Sequence, residues 1–210
     1  MAHIASAAWR TAPPMITEYG IDSRLCDDLS RHLEAAVHRP RTYQGRLDER
    51  LRKSEYAEIS DDLERWLFQQ VKPVLRHHFG TPVRRIPTQR SIAYRYGPGV
   101  GFVAHHDEVT EIERERARTT GQPVVGGDIT VVTWLSGPES YEGGALFFEN
   151  PALELRPARG AVVAFPATRA YVHGVRPIES GVRTTVITRV AASVNDATGS
   201  DSVGRPSAPE

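Results

Sequence analysis

Residues 102–108 read Phe-Val-Ala-His-His-Asp-Glu. Side chains two apart on a strand share a face, so a histidine and a carboxylate at that spacing can grip one ion. With a second histidine from elsewhere, such a pair leaves three coordination positions of a ferrous ion open. Two pairs compete in this stretch. On an ideal strand Val103, His105 and Asp107 lie on one side, and Phe102, Ala104, His106 and Glu108 on the other. Periodicity therefore leaves both pairs open, and a lone His-x-Asp is common by chance. The third ligand should be a distant histidine on another strand. His3 lies near the N-terminus, and His32, His38, His77 and His78 lie in helical stretches. Only His173, in AYVHGV, falls in a downstream β run.

The last β run, VRTTVITRV, sets Arg183, Thr185, Ile187 and Arg189 on one face and Val182, Thr184, Val186, Thr188 and Val190 on the other. The second face suits packing against a helix or sheet. The first carries two arginines, and an arginine turned inwards needs an anionic partner because burying it unpaired is costly. A dicarboxylate ligand or an internal Asp or Glu would serve. Arg189 is six residues, ~20 Å, along the strand from Arg183. That puts it towards the far end of the barrel, where it could hold a carboxylate of a substrate or of the protein.

Something must hold these residues. Leu25, Leu29, Leu33 and Val37 recur every four residues between polar neighbours, which predicts a helix from Ser23 that Pro40 ends. SEYAEISDDLERWLFQQVKPVLRHHFG predicts a second, with Tyr56, Ile59, Leu63, Trp66, Leu67, Val71 and Val74 as its apolar positions. Pro73 should kink or split it and Gly80 should stop it. The first twenty residues, with Pro13-Pro14, read as an irregular lead-in, and residues 41–53 as a basic, solvated loop. From residue 89 onwards short β-branched and aromatic runs alternate with Gly and Pro. RSIAYRY, GFVAHHD, DITVVTWL, GGALFFE, GAVVAF, AYVHGV and VRTTVITRV have the spacing of an all-β sandwich or barrel of about eight strands. A charged insertion, 108–127, interrupts them. The expected organisation is a lead-in with buttressing helices over 1–88, a β core over 89–192 and a disordered tail over 193–210.

Composition excludes several classes. The 26 basic residues balance the 26 acidic ones, so no global field draws in nucleic acid or anionic lipid. The single cysteine, Cys26, allows neither an internal disulfide nor a thiolate cluster. No apolar run is long enough to span a membrane, and the N-terminus does not read as a signal peptide, so the expected location is cytoplasmic.

Together these residues resemble the 2-oxoglutarate- and Fe(II)-dependent oxygenases, most closely the prolyl 4-hydroxylase-like branch, over about residues 89–190. Tyr96-Gly97 and the run Gly101 to Asp107 are similar to that branch's tyrosine, glycine loop, aromatic and His-x-Asp. YEGGALFF is similar to its Gly-Gly segment. Residues 153–190 are similar to its closing pattern of Pro, Gly, apolar strand, distal His, Pro and Gly-x-Arg. The resemblance implies a mainly β (α+β) fold, a double-stranded β-helix or jelly roll with the N-terminal helices packed on one sheet. In the family the His follows the aromatic by three, so Phe102 selects His105 and Asp107, with His173 as third ligand. His106 and Glu108 would face away. A carboxylate at Asp107 argues against a halogenase. The implied cofactors are Fe(II), the cosubstrate 2-oxoglutarate and O2, with ascorbate as an optional reductant. Arg183 would bind the distal carboxylate of 2-oxoglutarate, Thr185 could donate to it, and Tyr96 could contact it, although Tyr96 also fits a core aromatic. Trp134 and Phe165 read as barrel packing.

The implied reaction is hydroxylation of an unactivated C–H with release of succinate and CO2. The expected substrate is a small charged or amino-acid-like molecule, with a peptidyl side chain close behind. Two departures matter. Collagen-type prolyl hydroxylases use Lys where this chain has Arg183, so that substrate does not carry over. Arg189 stands where many members have a large aromatic, and an Arg six residues after the cosubstrate Arg is a feature of alkylated nucleic-acid demethylases. That branch is the alternative within the superfamily. A non-catalytic, cupin-like jelly-roll binding module is the alternative of another class.

Overall fold

The computed structural model describes residues 7–36, 39–40, 54–121, 124 and 126–192. The basic loop expected at 41–53 and the tail expected over 193–210 lie outside the described residues, as do His3, Val37 and His38.

Asp22 caps α1 (Ser23–Ala35) by accepting from the Leu25 amide at 2.7 Å, and Leu25, Cys26, Leu29 and Leu33 form its buried stripe. The second helix begins later than its apolar pattern suggests. α2 (Asp61–Phe79) starts at the Ser60 cap, with Asp61, Asp62 and Glu64 in its first turn, and stops at Gly80, which sits at φ +60°. Carboxylates at a helix N-terminus and a left-handed glycine past its end account for both limits. Pro73 does not split the helix. It lies on the exposed face beside exposed Gln69, whose unpaired carbonyl can meet water.

The residues just before this helix, expected to be helical, are a strand instead. β1 (Met15–Thr17), β2 (Arg39–Pro40), β3 (Glu55–Glu58) and β4 (Val83–Arg85) all come from the N-terminal segment. β1 lies within the stretch expected to be irregular. They join β5 (Ile92–Tyr96), β7 (Ile129–Trp134), β11 (Val162–Pro166) and β14 (Arg183–Ala192) in one antiparallel sheet. Its order is β1-β11-β7-β14-β5-β3-β2, with β4 also on β14. The second sheet runs β10-β9-β12-β6, from β6 (Phe102–His105), β9 (Leu146–Phe148), β10 (Leu153–Leu155) and β12 (His173–Val175). β8 (Tyr141–Gly143) and β13 (Ile178–Gly181) pair separately.

α1 and α2 cover the outer face of the large sheet, where Leu29, Leu67, Val71 and Leu75 meet Ile129, Val131, Val186 and Val190. Between the sheets Val132, Trp134, Phe148, Val163 and Phe165 make the inner core. This is the double-stranded β-helix with helices on one sheet. No helix among the described residues is long and apolar enough to cross a membrane.

The insertion after β6 contains a third helix, α3 (Glu111–Thr120), which buries no side chain. It lacks the apolar stripe that marks a helix in sequence. Its signal is Thr110-x-x-Glu113, a capping box in which both reciprocal bonds form, with Gly121 closing the far end at φ +68°.

Candidate metal and cosubstrate site

β12 lies against β6 with His173 opposite His105, but two residues further Val175 stands opposite Phe102. One extra residue on β6 is thereby accommodated as a bulge. The bulge overturns the simple alternation expected for this stretch. Phe102 and His105, three apart, share a side with ring centroids 4.1 Å apart, while Val103 is 47% exposed. Gly174 permits the close approach. A Cβ there would lie 2.6 Å from the Phe102 carbonyl oxygen and 2.6 Å from Phe147 Cζ.

The histidine rings are oriented by their own strands. Nδ1 of His105 is 3.0 Å from the Val103 carbonyl, and Nδ1 of His173 is 3.0 Å from the Tyr171 carbonyl. A carbonyl can only accept, so each Nδ1 carries the hydrogen and each Nε2 is left with its lone pair. Those Nε2 atoms point at Asp107, one 3.6 Å from Oδ1 and the other 3.6 Å from Oδ2. The ligand atoms of His105, Asp107 and His173 all lie within 4.8 Å of one another. Burial between Phe148 and Phe165 pushes the His173 imidazole down to about 4, against the opposing charge of Asp107. Burial also pushes the Asp107 carboxyl up, but the Arg189 charge and its hydrogen bonds to the carboxylate outweigh it and hold it well below the usual carboxylate range. Neutral imidazole with carboxylate is the charge state a divalent cation requires. This donor set fits ferrous iron.

The competing pair, expected to face away, lines the same cavity as the three ligands without joining their cluster. His106 is exposed, and Glu108 accepts from the Arg169 amide at 2.9 Å, its Nε at 3.1 Å and an Nη at 3.2 Å.

A cavity of about 520 Å³ opens from the three ligands and reaches Tyr96, Arg183 and Thr185 at its inner end. The β14 alternation holds, since Arg183, Thr185, Ile187 and Arg189 all line the cavity. Arg183 is 2% exposed, and no ion pair among the described residues supplies it with a carboxylate. Burial pushes its guanidinium down, and Tyr96 and Tyr141 beside it push back. Its guanidinium carbon sits 5.3 Å from the Tyr96 ring centroid and 5.0 Å from that of Trp134. Trp134 thus packs in the barrel, as expected, and also walls the arginine. Nε of Arg183 and the Thr185 hydroxyl are buried without hydrogen-bond partners. A buried cation and a buried hydroxyl left open towards one cavity fit a carboxylate group there. The contribution of Tyr141 could not be read from sequence, because nothing in YEGG distinguishes a site tyrosine from a core one.

Arg189, expected to meet a carboxylate of substrate or protein, meets one of the protein. Its guanidinium bonds both oxygens of Asp107, the Nη2–Oδ1 contact at 2.8 Å, and also the Thr130 hydroxyl. Thr130 in turn donates to Asp107 at 2.7 Å. At the cavity mouth stand Ile112, Glu113 and Arg116 of α3.

Residues 91–194 match the profile of the 2OG-Fe(II) oxygenase superfamily. A PKHD-type hydroxylase of Crocosphaera subtropica is 32% identical over 106 residues, 49% of this chain and 42% of that protein. Another from Thioalkalivibrio sulfidiphilus is 32% identical over 139 residues, 64% of this chain and 58% of that one. The aligned stretches thus span less than two thirds of these relatives' own length. Among solved structures, a Trichoplax adhaerens prolyl hydroxylase, in complex with a hypoxia inducible factor oxygen degradation domain peptide fragment, superposes with TM-score 0.64 at 16% identity. That match covers 87% of this chain and 84% of that one. A Pseudomonas putida prolyl-4-hydroxylase superposes with TM-score 0.60 at 17% identity, covering 85% of this chain and 94% of that one.

Proposed function

Because the chain belongs to the 2OG-Fe(II) oxygenase superfamily, we propose that it hydroxylates an unactivated C–H of a small charged or amino-acid-like molecule, or of a peptidyl side chain, with release of succinate and CO2. One observation carries the reading. A buried arginine without an acid partner and a His-Asp-His cluster stand in the walls of the same cavity.

His105, Asp107 and His173 would hold Fe(II), and Arg183 with Thr185 would hold the far carboxylate of 2-oxoglutarate. When bound, iron, 2-oxoglutarate and O2 supply the oxidising power that side chains lack. The chain's own work is positional. The Val103 and Tyr171 carbonyls fix both imidazoles with Nε2 inward. Arg189 and Thr130 fix the Asp107 carboxylate. Phe148 and Phe165 keep water from the back of His173. The peptide bound to the Trichoplax enzyme supports keeping a peptidyl substrate beside a free small molecule. The Arg183–Arg189 spacing lends no weight to a nucleic-acid substrate here, since Arg189 is taken up by Asp107.

Anaerobic titration with Fe(II) and 2-oxoglutarate tests this. A weak visible charge-transfer band saturating at one equivalent is expected. Its absence, with both ligands in excess over folded protein, would overturn the reading.

A further inference from the structure

The charges of α3 are almost all spoken for. Glu111 pairs with Arg114 and Arg118, and Glu115 also takes Arg118. Glu113 turns back to the Thr110 amide and hydroxyl, both at 2.8 Å. Elsewhere on the cavity wall, Glu108 is held by Arg169 and Asp107 by Arg189. Arg116 is different. It lines the cavity mouth, and none of the ion pairs or side-chain hydrogen bonds among the described residues involves its guanidinium. One turn earlier on the same helix face is Ile112, 81% exposed, which also lines the mouth. An isoleucine left this bare beside an uncommitted arginine has no explanation in packing, because α3 buries no side chain.

We propose that α3 is the substrate-selecting rim of the pocket, with Arg116 binding an anionic group of the substrate and Ile112 packing on the apolar carbons next to it. The inference rests on the oxygenase reading above and narrows its substrate to molecules bearing a carboxylate or comparable anion. The inner arginine is enclosed with the cosubstrate end of the cavity, whereas Arg116 stands on an exposed helix at the opening. The two cations would therefore take different acids. Opposite charge is the complement that Arg116 lacks, and a planar guanidinium suits a carboxylate. Ile112 adds contact area without directionality, so it should not discriminate charge.

The test uses the full chain with Fe(II) and 2-oxoglutarate and reads succinate release. The probes are N-acetylated amino acids and dipeptides, aspartyl and glutamyl members included, each paired with its carboxamide. In the unaltered protein, one or more acids should stimulate release with a KM roughly tenfold below that of the matching amide. Arg116→Ala should bring that ratio close to one, Arg116→Lys should keep part of it, and Arg116→Glu should invert it. Ile112→Ser should raise the KM of acid and amide alike. Equal response to acids and amides, an acid preference untouched by Arg116→Ala, or no response to any acid would overturn the inference. Iron- and 2-oxoglutarate-dependent release without added probe, measured in parallel, separates the two readings. If it is present, only the α3 inference has failed, and if it is absent the oxygenase reading has failed too.

Discussion

The guanidinium of Arg189, on β14, grips both oxygens of the Asp107 carboxylate, which lies two residues past the end of β6. The Asp107 side chain is only 7% exposed, so in the metal-free protein Arg189 is the principal neutraliser of a buried charge. A divalent cation would do the same work. Arg189→Ala should therefore destabilise the metal-free protein by on the order of 3 kcal/mol. Saturating Co(II), a redox-stable stand-in, should raise the Tm of the variant by more than it raises that of the unaltered protein. Calorimetry with and without Co(II) checks this. Equal metal-induced shifts would mean that Arg189 does not share Asp107 with the metal.

The metal register follows from Nε2 orientation. His105→Ala, Asp107→Ala and His173→Ala should each abolish stoichiometric iron binding. His106→Ala and Glu108→Ala should leave it in place, the latter with a small loss of stability because only an exposed pair with Arg169 is removed. Metal content after dialysis against a weak chelator decides the matter. Iron lost from His106→Ala but kept by His105→Ala would show the strand turned over.

Gly174 sits where β12 crosses the bulge of β6, with no room for a Cβ against the Phe102 carbonyl oxygen. Gly174→Ala must push the strands apart as well as move Phe147. Since His173 is the neighbouring residue and faces His105, the two ligands would separate. A stability loss of about 1–3 kcal/mol is expected, with weakened Co(II) affinity in the protein that remains folded. Gly97→Ala, where a Cβ would meet nothing within 4 Å, is the control. A folded Gly174→Ala protein with unaltered Co(II) affinity would show that this contact does not set the ligand spacing.

Much of this arrangement was legible in residue order. β14 announced its faces because alternation is undisturbed from Arg183 to Arg189, one side Val186 and Val190 under the helices and the other lining the cavity. β6 did not, because a bulge between Phe102 and His105 depends on the partner strand and leaves no mark in FVAHHD. The spacing of three from aromatic to histidine pointed to the correct pair only through resemblance, and the bulge is its physical cause. β1 and β3 were hidden for another reason. Strands of three or four residues bury too few side chains for periodicity to register, and their pairing with β11 and β5 is wholly non-local. α3 escaped because an exposed helix has no apolar stripe, although its capping box was readable in Thr110 and Glu113.

The inner end of the cavity gives the last prediction. Arg183 is enclosed by Tyr96 and Trp134, with its Nε and the neighbouring Thr185 hydroxyl unpartnered. A charge-assisted bond in such a place contributes about 1.5–3 kcal/mol, so Arg183→Ala should weaken 2-oxoglutarate binding by roughly 10- to 150-fold. Arg183→Lys should recover part of the affinity, since the charge remains but the two-pronged geometry is lost. Thr185→Val keeps the volume and removes only a hydroxyl, so a loss of about 1 kcal/mol or less is expected. None of these side chains is among the three metal ligands, so Co(II) affinity measured without 2-oxoglutarate should stay within about twofold. Isothermal titration of 2-oxoglutarate into the Co(II)-loaded protein reads the series. The same affinity in Arg183→Ala as in the unaltered chain would assign Arg183 to the stability of the barrel and leave the cosubstrate without its anchor.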